Sequence, residues 1–191
     1  MLSIAATTKQ GFDAINTHWQ TWNEVADQHG HQADREQWRL VGPMHLAETK
    51  EQARKDVEYG IVPFSDYFTH VLPAGPVRGN NAQEIIDNVD EDGFAVIGTP
   101  DDAIRKIQEL VDQSGGFGTF LLFGHDWARP EATKRSFELF AQYVMPHFQD
   151  QLAAPANSCE WVTGSGGEFV GRAANAIMQA IADHAESKQT S

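Results

Sequence analysis

Apolar runs too short to be helices alternate along this chain with longer stretches in which apolar residues recur every three or four positions. That alternation belongs to parallel strands joined by helical crossovers, and it constrains the fold more than any other feature. Leu2 to Ala6 reads as a short buried strand and is also compatible with a first helical turn. Phe12, Ile15, Trp19, Trp22, Val25 and Ala26 then form one face of a helix of roughly 20 residues, closed at His29-Gly30-His31. Trp38 to Leu46 is the second strand, interrupted at Gly42 and Pro43, where a bulge or an early end is expected. Thr49-Lys50-Glu51-Gln52 spells a capping box for a helix that carries Ala53, Val57 and Tyr59 and stops near Gly60.

Phe94 to Ile97 is apolar and serves as a strand or a connector. Thr99 is an N-cap, Pro100 the first helical residue, and Asp101 and Asp102 suit the helix dipole. Ile104, Ile107, Leu110 and Val111 are the buried face, and Ser114-Gly115-Gly116 ends the helix. Phe117 to Phe123 reads as a parallel strand covered on both faces. Pro130 opens a helix bearing Phe137, Leu139, Phe140, Tyr143 and Val144, with a stop at Met145-Pro146. Residues 61 to 92 break the alternation through Pro63, Pro73, Gly75, Pro76 and Gly79. An irregular insertion is expected there, with a weak helical segment from Ala82 to Val89. Beyond residue 150 a linker (Ala153 to Ala156, then Gly164-Ser165-Gly166-Gly167) leads to a last amphipathic helix with Ala173, Ile177, Ala180 and Ile181. The domain division expected is thus 1–150 and 151–191. Three or four strands fall short of the eight strands and ~250 residues of a closed (β/α)8 barrel, so Met1 is expected to open in mid-fold.

A net charge of -13 and a pI of about 4.9 argue against a nucleic-acid partner and against docking on anionic lipid. The single cysteine, Cys159, excludes an intramolecular disulfide. No apolar run approaches the ~20 residues of a membrane span, and a cytoplasmic location is expected.

Two places carry candidate chemistry. His45 ends the second strand, just before a capped helix, where polar groups of an α/β barrel face the active site. The alternative is a histidine bonded to the following loop. Gly124-His125-Asp126-Trp127 follows the Phe117 strand at the equivalent position and suits a polar, aromatic-lined pocket. The alternative there is Asp126 capping the next helix and Trp127 covering the core. Ser114-Gly115-Gly116-Phe117-Gly118 lies at the wrong end of a strand for phosphate and reads as a helix stop. The eight histidines include no HExxH pair, a metal site is not expected, and no GxSxG points to a hydrolase.

Four segments in order, Trp38-Arg39-Leu40-Val41-Gly42-Pro43-Met44-His45-Leu46-Ala47-Glu48-Thr49, Ile97-Gly98-Thr99-Pro100-Asp101-Asp102, Ser114-Gly115-Gly116-Phe117-Gly118-Thr119-Phe120-Leu121 and Tyr143-Val144-Met145-Pro146-His147-Phe148, resemble the C-terminal half of bacterial luciferase-like, flavin-dependent monooxygenases. The resemblance covers roughly residues 1 to 150. It implies an α/β fold: the C-terminal part of a (β/α)8 TIM barrel, about strands six to eight with their helices, plus a helical C-terminal tail. Leu2 to Ala6 would be the sixth strand, Arg39 to Leu46 the seventh and Phe117 to Phe123 the eighth. It implies reduced FMN, supplied by a flavin reductase, or F420 in some relatives, used with oxygen to oxygenate a small organic substrate. In related alkanesulfonate monooxygenases an active-site histidine occupies the position of His45, and a tyrosine after the last strand has His125 as its nearest counterpart here. The catalytic candidates are therefore His45, His125 and Asp126, with Trp127 in the substrate pocket. The family's N-terminal half supplies the first five strands and most of the grip on the FMN phosphate. Without it the chain is expected to bind flavin weakly, and to pair its open strand edge in a homo-oligomer or with a separate half-barrel. A non-catalytic partial-barrel subunit is the second reading, and a small metal hydrolase a distant third.

Overall fold

A proline divides the central strand of this protein between two sheets. In the computed structural model, which describes residues 1–3, 6–71, 77–149, 171–172 and 178–179, the run after Trp38 forms β2 (Arg39–Gly42) and β3 (Met44–Leu46), with Pro43 between them. β2 pairs in parallel with β1 (Leu2–Ser3) on one side and β5 (Thr119–Leu122) on the other. β3 pairs in parallel with β4 (Val96–Gly98), which has no place in the first sheet. Proline has no N–H to give a ladder, which makes this a natural place for the pairing to change partner. The Pro43 carbonyl accepts from the Val96 N–H at 3.1 Å, and that of Gly42 from the Phe123 N–H at 3.1 Å. The expected interruption is thus a change of sheet.

The chain divides into two units, Met1–Met145 and Pro146–Ser191. In the first, α1 (Lys9–Gln28) starts at Thr8, whose hydroxyl accepts from the Gly11 N–H, and ends ahead of Gly30 at φ 72°. Ile15 of α1 packs with Trp38, Leu40 and Leu110 in one core, flanked by Trp19, Trp22 and Phe120. The Trp38 indole N–H donates to Ser3 Oγ at 2.9 Å, fixing the largest core side chain to the neighbouring strand. α5 (Pro100–Ser114) begins with the expected Thr99 cap, made reciprocal by the Asp102 carboxylate, and stops at Gly115, φ 73°. Arg35 donates to the Ser114 and Gly116 carbonyls and lies 4.0 Å over the Trp19 ring, so the glycine-rich turn is a clamped helix end.

Residues 61 to 92 are less irregular than expected, and the helical segment expected from Ala82 to Val89 is present within a longer helix. α2 (Lys50–Val57) is followed after Gly60 by α3 (Ile61–Val71), and Asn81 caps α4 (Ala82–Asp92). Pro63 is tolerated because it stands in the first turn of α3, where an N–H has no helical partner to lose. Ile61, Val77, Ile85, Ile86 and Val89 form a second core with Val57, Ile97 and Trp127. Arg54 of α2 is paired with Asp87 and Asp90 of α4, and Lys50 lies 3.7 Å from Asp90. The Thr49 hydroxyl accepts from the Gln52 N–H, but the Gln52 side chain turns to Asp56 instead of closing the box.

β5 is also less covered than its apolar sequence suggests. Thr119 is exposed, Leu121 is 38% exposed and Phe123 44% exposed. Phe120 packs on the α1 core, while Thr119 and Leu121 on the opposite face stay exposed and β5 is the last strand of its sheet among the described residues. α6 (Pro130–Leu139) leads into a widened π turn, Phe140–Val144, and helical geometry runs on past Pro146 to Phe148. The widened turn removes the conflict between a proline ring and a carbonyl four residues back, so Met145-Pro146 is no stop. In the second unit the His147 and Phe148 rings meet edge to face at 4.8 Å. Ile4, Ala5, Pro73, Gly75, Pro76 and the tail features at Ala153 to Ala156, Cys159, Gly164 to Gly167, Ala173, Ile177, Ala180 and Ile181 lie outside the described residues. No helix among the described residues is long and apolar enough to cross a membrane.

Gly118, just before β5, sits so close to the chain at Glu36 that a Cβ would lie 1.7 Å from the Glu36 carbonyl oxygen. Gly118→Ala is expected to cost about 1–3 kcal/mol, a few degrees of melting temperature. Gly124→Ala, with nothing within 4 Å, is expected to be near neutral. Equal melting temperatures for the two variants would refute the close-approach account.

Candidate active site

β3 and the loop after β5 deliver two histidines to one place. His45 is the middle residue of β3, opposite Ile97, and is fully buried. Its Nε2 lies 3.4 Å from Asp56 Oδ2, while Asp56 Oδ1 accepts from Gln52 Nε2 at 2.7 Å. Gln52 and Asp56 are four residues apart on α2 and so share a face. His125 follows β5, and its Nε2 lies 3.2 Å from the Met44 carbonyl oxygen. A carbonyl only accepts, so in the neutral ring this nitrogen carries the hydrogen and Nδ1 is bare. The two imidazole centroids are 6.4 Å apart.

Trp127 is fully buried and stacks on the His125 ring at 3.9 Å, with Phe64 of α3 edge-on to it at 5.3 Å. Gly60 makes this packing possible. Its N–H donates to the Trp127 carbonyl at 2.8 Å, and a Cβ there would lie 1.9 Å from the Asp126 carbonyl oxygen. Arg129 reaches over the Tyr59 ring at 4.6 Å and ties the same two loops together. The β3 end is secured by the Leu46 N–H, which donates to Ser136 Oγ of α6 at 2.8 Å, and by Arg135, whose Nε donates to Glu48 at 2.8 Å.

Burial governs the electrostatics. It pushes the His45 imidazole below its ordinary value, against the pull of the Asp56 hydrogen bond and charge. It pushes His125 further, down to about 4, opposed by the Met44 carbonyl and the neighbouring Asp126 charge and reinforced by His45. Both rings are therefore uncharged at neutral pH. His45 Nδ1, His125 Nδ1 and Trp127 Nε1 are all buried without a hydrogen-bond partner among the described residues. Unpartnered buried polar atoms are uncommon, and three in one cluster mark a place where polar groups are kept available. The arrangement can accept a proton or a hydrogen bond on an imidazole nitrogen in a water-poor, aromatic-walled setting.

Of the four candidates, His45, His125 and Trp127 come together and Asp126 does not join them. Asp126 is exposed and borders a shallow groove of about 650 Å³ along α6, with Pro130, Thr133, Lys134 and Phe137. It does not cap α6, whose N-cap is Arg129, without a side-chain bond. Asp56, Gln52, Phe64 and Gly60 are the site neighbours that the sequence did not single out. The Gln52–Asp56 spacing was a readable signal for a shared helix face, but nothing in the sequence pointed that face at His45. Among the described residues no group of three His, Cys, Asp or Glu side chains is arranged to hold a metal ion.

No family model matches the chain. Individual relatives do. The chain is 38% identical over 188 residues to limonene 1,2-monooxygenase of Rhodococcus erythropolis, a match that takes in 98% of this chain and 47% of that protein. It is 32% identical over 151 residues to 4-hydroxyprotoasukamycin monooxygenase of Streptomyces nodosus subsp. asukaensis, covering 78% of this chain and 41% of the relative. It is 29% identical over 147 residues to 3,6-diketocamphane 1,6-monooxygenase of Pseudomonas putida, covering 71% and 39%. The fold is similar to that of the oxygenating constituent of 3,6-diketocamphane monooxygenase from Pseudomonas putida, a type II Baeyer–Villiger enzyme solved in complex with FMN. That likeness has a TM-score of 0.54 at 24% identity, over 76% of this chain and 42% of the other. A monooxygenase from Streptomyces bottropensis gives a TM-score of 0.55 at 20% identity, over 77% and 41%. The chain thus spans rather less than half the length of the relatives it matches. On these sequence matches it resembles the luciferase-like flavin-dependent monooxygenases over rather less than half of their length, and it has a mixed α/β fold like theirs.

Proposed function

We propose that this chain is the C-terminal part of a luciferase-like monooxygenase that uses reduced flavin and oxygen to oxygenate a small organic substrate. In this reading β1, β2 with β3, and β5 are strands six, seven and eight of a (β/α)8 barrel. Their parallel order, each beside the next, agrees with it. The observation that carries the functional reading is the meeting of His45 and His125, both uncharged, at the C-terminal ends of adjacent strand tracks. His45 and His125 would hold or move a proton near the reacting centre, while Trp127 and Phe64 keep water from it. Asp126, on the exposed groove, would act at the rim, where a substrate enters.

The residues present suit a flavin ring better than a flavin phosphate. Leu121 and Phe123 leave apolar surface along and just beyond β5. The helices that follow β3 and β4 have starts already closed by their own side chains, Thr49 and Thr99, and the second carries the Asp102 carboxylate. A phosphate needs free N–H groups at such a start, so neither of these two helices suits it, and of the helices that follow β3, β4 and β5 only α6 starts without a side-chain cap. Flavin, when bound, supplies the electrons that activate oxygen. FMN is preferred over F420 because FMN is the group bound in a structurally similar relative. A separate reductase supplies the reduced flavin. A non-catalytic subunit is the second reading, favoured by the open β5 edge and the exposed Leu2, Leu121 and Phe123.

Co-expression with an N-terminal half-barrel of a relative is expected to give flavin-dependent oxygenation. In that pair His45→Ala should lower kcat by about 10²–10⁴-fold with flavin affinity unchanged. Oxygenation unaffected by the loss of His45 would remove it from the chemistry, and no oxygenation at all would favour the subunit reading.

The chain alone is expected to associate through its open edges and to bind FMN only weakly. Light scattering at micromolar concentration and a flavin titration read both. A cooperative monomer, or tight stoichiometric flavin binding, contradicts the half-barrel account.

The histidine cluster also sets a pH dependence. His125 titrates near 4 when folded against an ordinary 6.5, so the unfolded chain takes its proton first. Stability from this group is complete above pH 6.5 and is lost as pH falls toward 4, in all about 3 kcal/mol. His125→Phe, which keeps a ring on Trp127, should flatten the fall in urea midpoint between neutral and acid pH. An unchanged slope would show that burial does not hold His125 neutral.

A further inference from the structure

The geometry points to Asp56 as a positioning residue that, braced by Gln52, holds His45 as the Nε2–H tautomer and leaves Nδ1 as its free basic nitrogen. The inference rests on the reading of His45 as the proton-handling group of the site. His45 Nε2 faces Asp56 Oδ2 at 3.4 Å. The other carboxylate oxygen is taken up by the Gln52 amide, which donates at 2.7 Å. A carboxylate only accepts, so the shared hydrogen must sit on Nε2. A neutral imidazole carries one ring hydrogen, and Nδ1 is then bare. That nitrogen is buried and has no hydrogen-bond partner among the described residues. Among the described residues no group therefore competes with Asp56 in choosing the tautomer.

Burial and charge act on His45 in opposite senses. Full burial keeps the ring uncharged, while the carboxylate favours its protonation. The ring so held is uncharged at rest, and its bare nitrogen becomes more basic through the partner on the far side. Asp56 keeps 19% of its side chain exposed, so it stands between the buried His45 and the α2 surface. Gln52 removes the freedom of that carboxylate to swing toward water. The three side chains form a line from the α2 surface to β3: amide, carboxylate, imidazole.

The test reads the tautomer directly. In the 191-residue chain labelled with ¹⁵N-histidine, long-range ¹H–¹⁵N correlation is expected to show His45 with a bare Nδ1 and a protonated Nε2. Asp56→Asn, which can offer an N–H to Nε2, should move the bare nitrogen from Nδ1 to Nε2, changing the tautomer ratio about tenfold or more. Gln52→Ala, which leaves the carboxylate in place, should shift the ratio in the same sense by less, and it stands in if the Asn variant does not fold. A wild-type ring protonated on Nδ1, or a ratio that neither substitution moves, overturns the proposal. In the co-expressed pair Asp56→Asn should lower kcat about 10–100-fold with KM little changed. An intact tautomer preference without any oxygenation would defeat the functional reading alone. Oxygenation that depends on His45, with tautomer and kcat both indifferent to Asp56, would defeat this one.

Discussion

The missing N–H of Pro43 is the constraint on which the rest of the arrangement depends. Up to Gly42 the strand pairs with β1 and β5. Because Pro43 cannot donate, its carbonyl instead receives Val96, and the chain beyond it is committed to β4. That change brings His45 under α2, puts Leu46 against Ser136, and opens the space into which His125 and Trp127 fold from the end of β5. Glycines complete the arrangement where backbones meet. Gly42 lies against Thr7 and Gly60 against Asp126, and a side chain at either would collide.

Two cores carry the fold, and they divide its tasks. The Trp38 core lies between the three-stranded sheet, α1 and α5, at the N-terminal ends of the strands, away from the histidines. It is closed by specific bonds, from the Trp38 indole to Ser3 and from Arg35 to the end of α5. The second core, built of α2, α3, α4 and β4, ends at Trp127 and so forms the back wall of the site. Histidine neutrality depends on that wall. Two imidazoles held uncharged by burial are a stability cost in acid, and the three unpartnered polar atoms beside them are a further one. A fold retains such costs where the groups are used.

Much of the architecture was legible because it follows local rules. Thr99, Pro100 and Asp102 start α5 through bonds among neighbours in the chain, and Gly30 and Gly115 take the left-handed geometry that ends a helix. The apolar faces of α1 and α5 were readable from their spacing. Elements went astray where a local rule met a tertiary condition. Pro63 marked a break but stands where the first turn of α3 can hold it. Gln52 had the spacing of a capping box, yet its amide found Asp56 a better partner than the backbone. Phe117 to Phe123 had the composition of a strand covered twice, and among the described residues only one face is covered.

The candidate site divides in the same way. Local patterns in the sequence placed His45 and His125 near strand ends, because strand ends and helix starts are written in consecutive residues; His45 in fact stands inside β3, one residue before its end, and His125 follows β5. They also determined the alternation that makes the sheets parallel. The tertiary structure alone decided that the two rings would meet, that Trp127 would lie between His125 and the core, that Asp126 would face solvent, and that Asp56 would stand behind His45. Those outcomes depend on which strand β3 pairs with and how α2 and α3 pack over it. They are contacts between residues far apart in the chain, chosen by the burial of whole faces, and no spacing in the sequence encodes them.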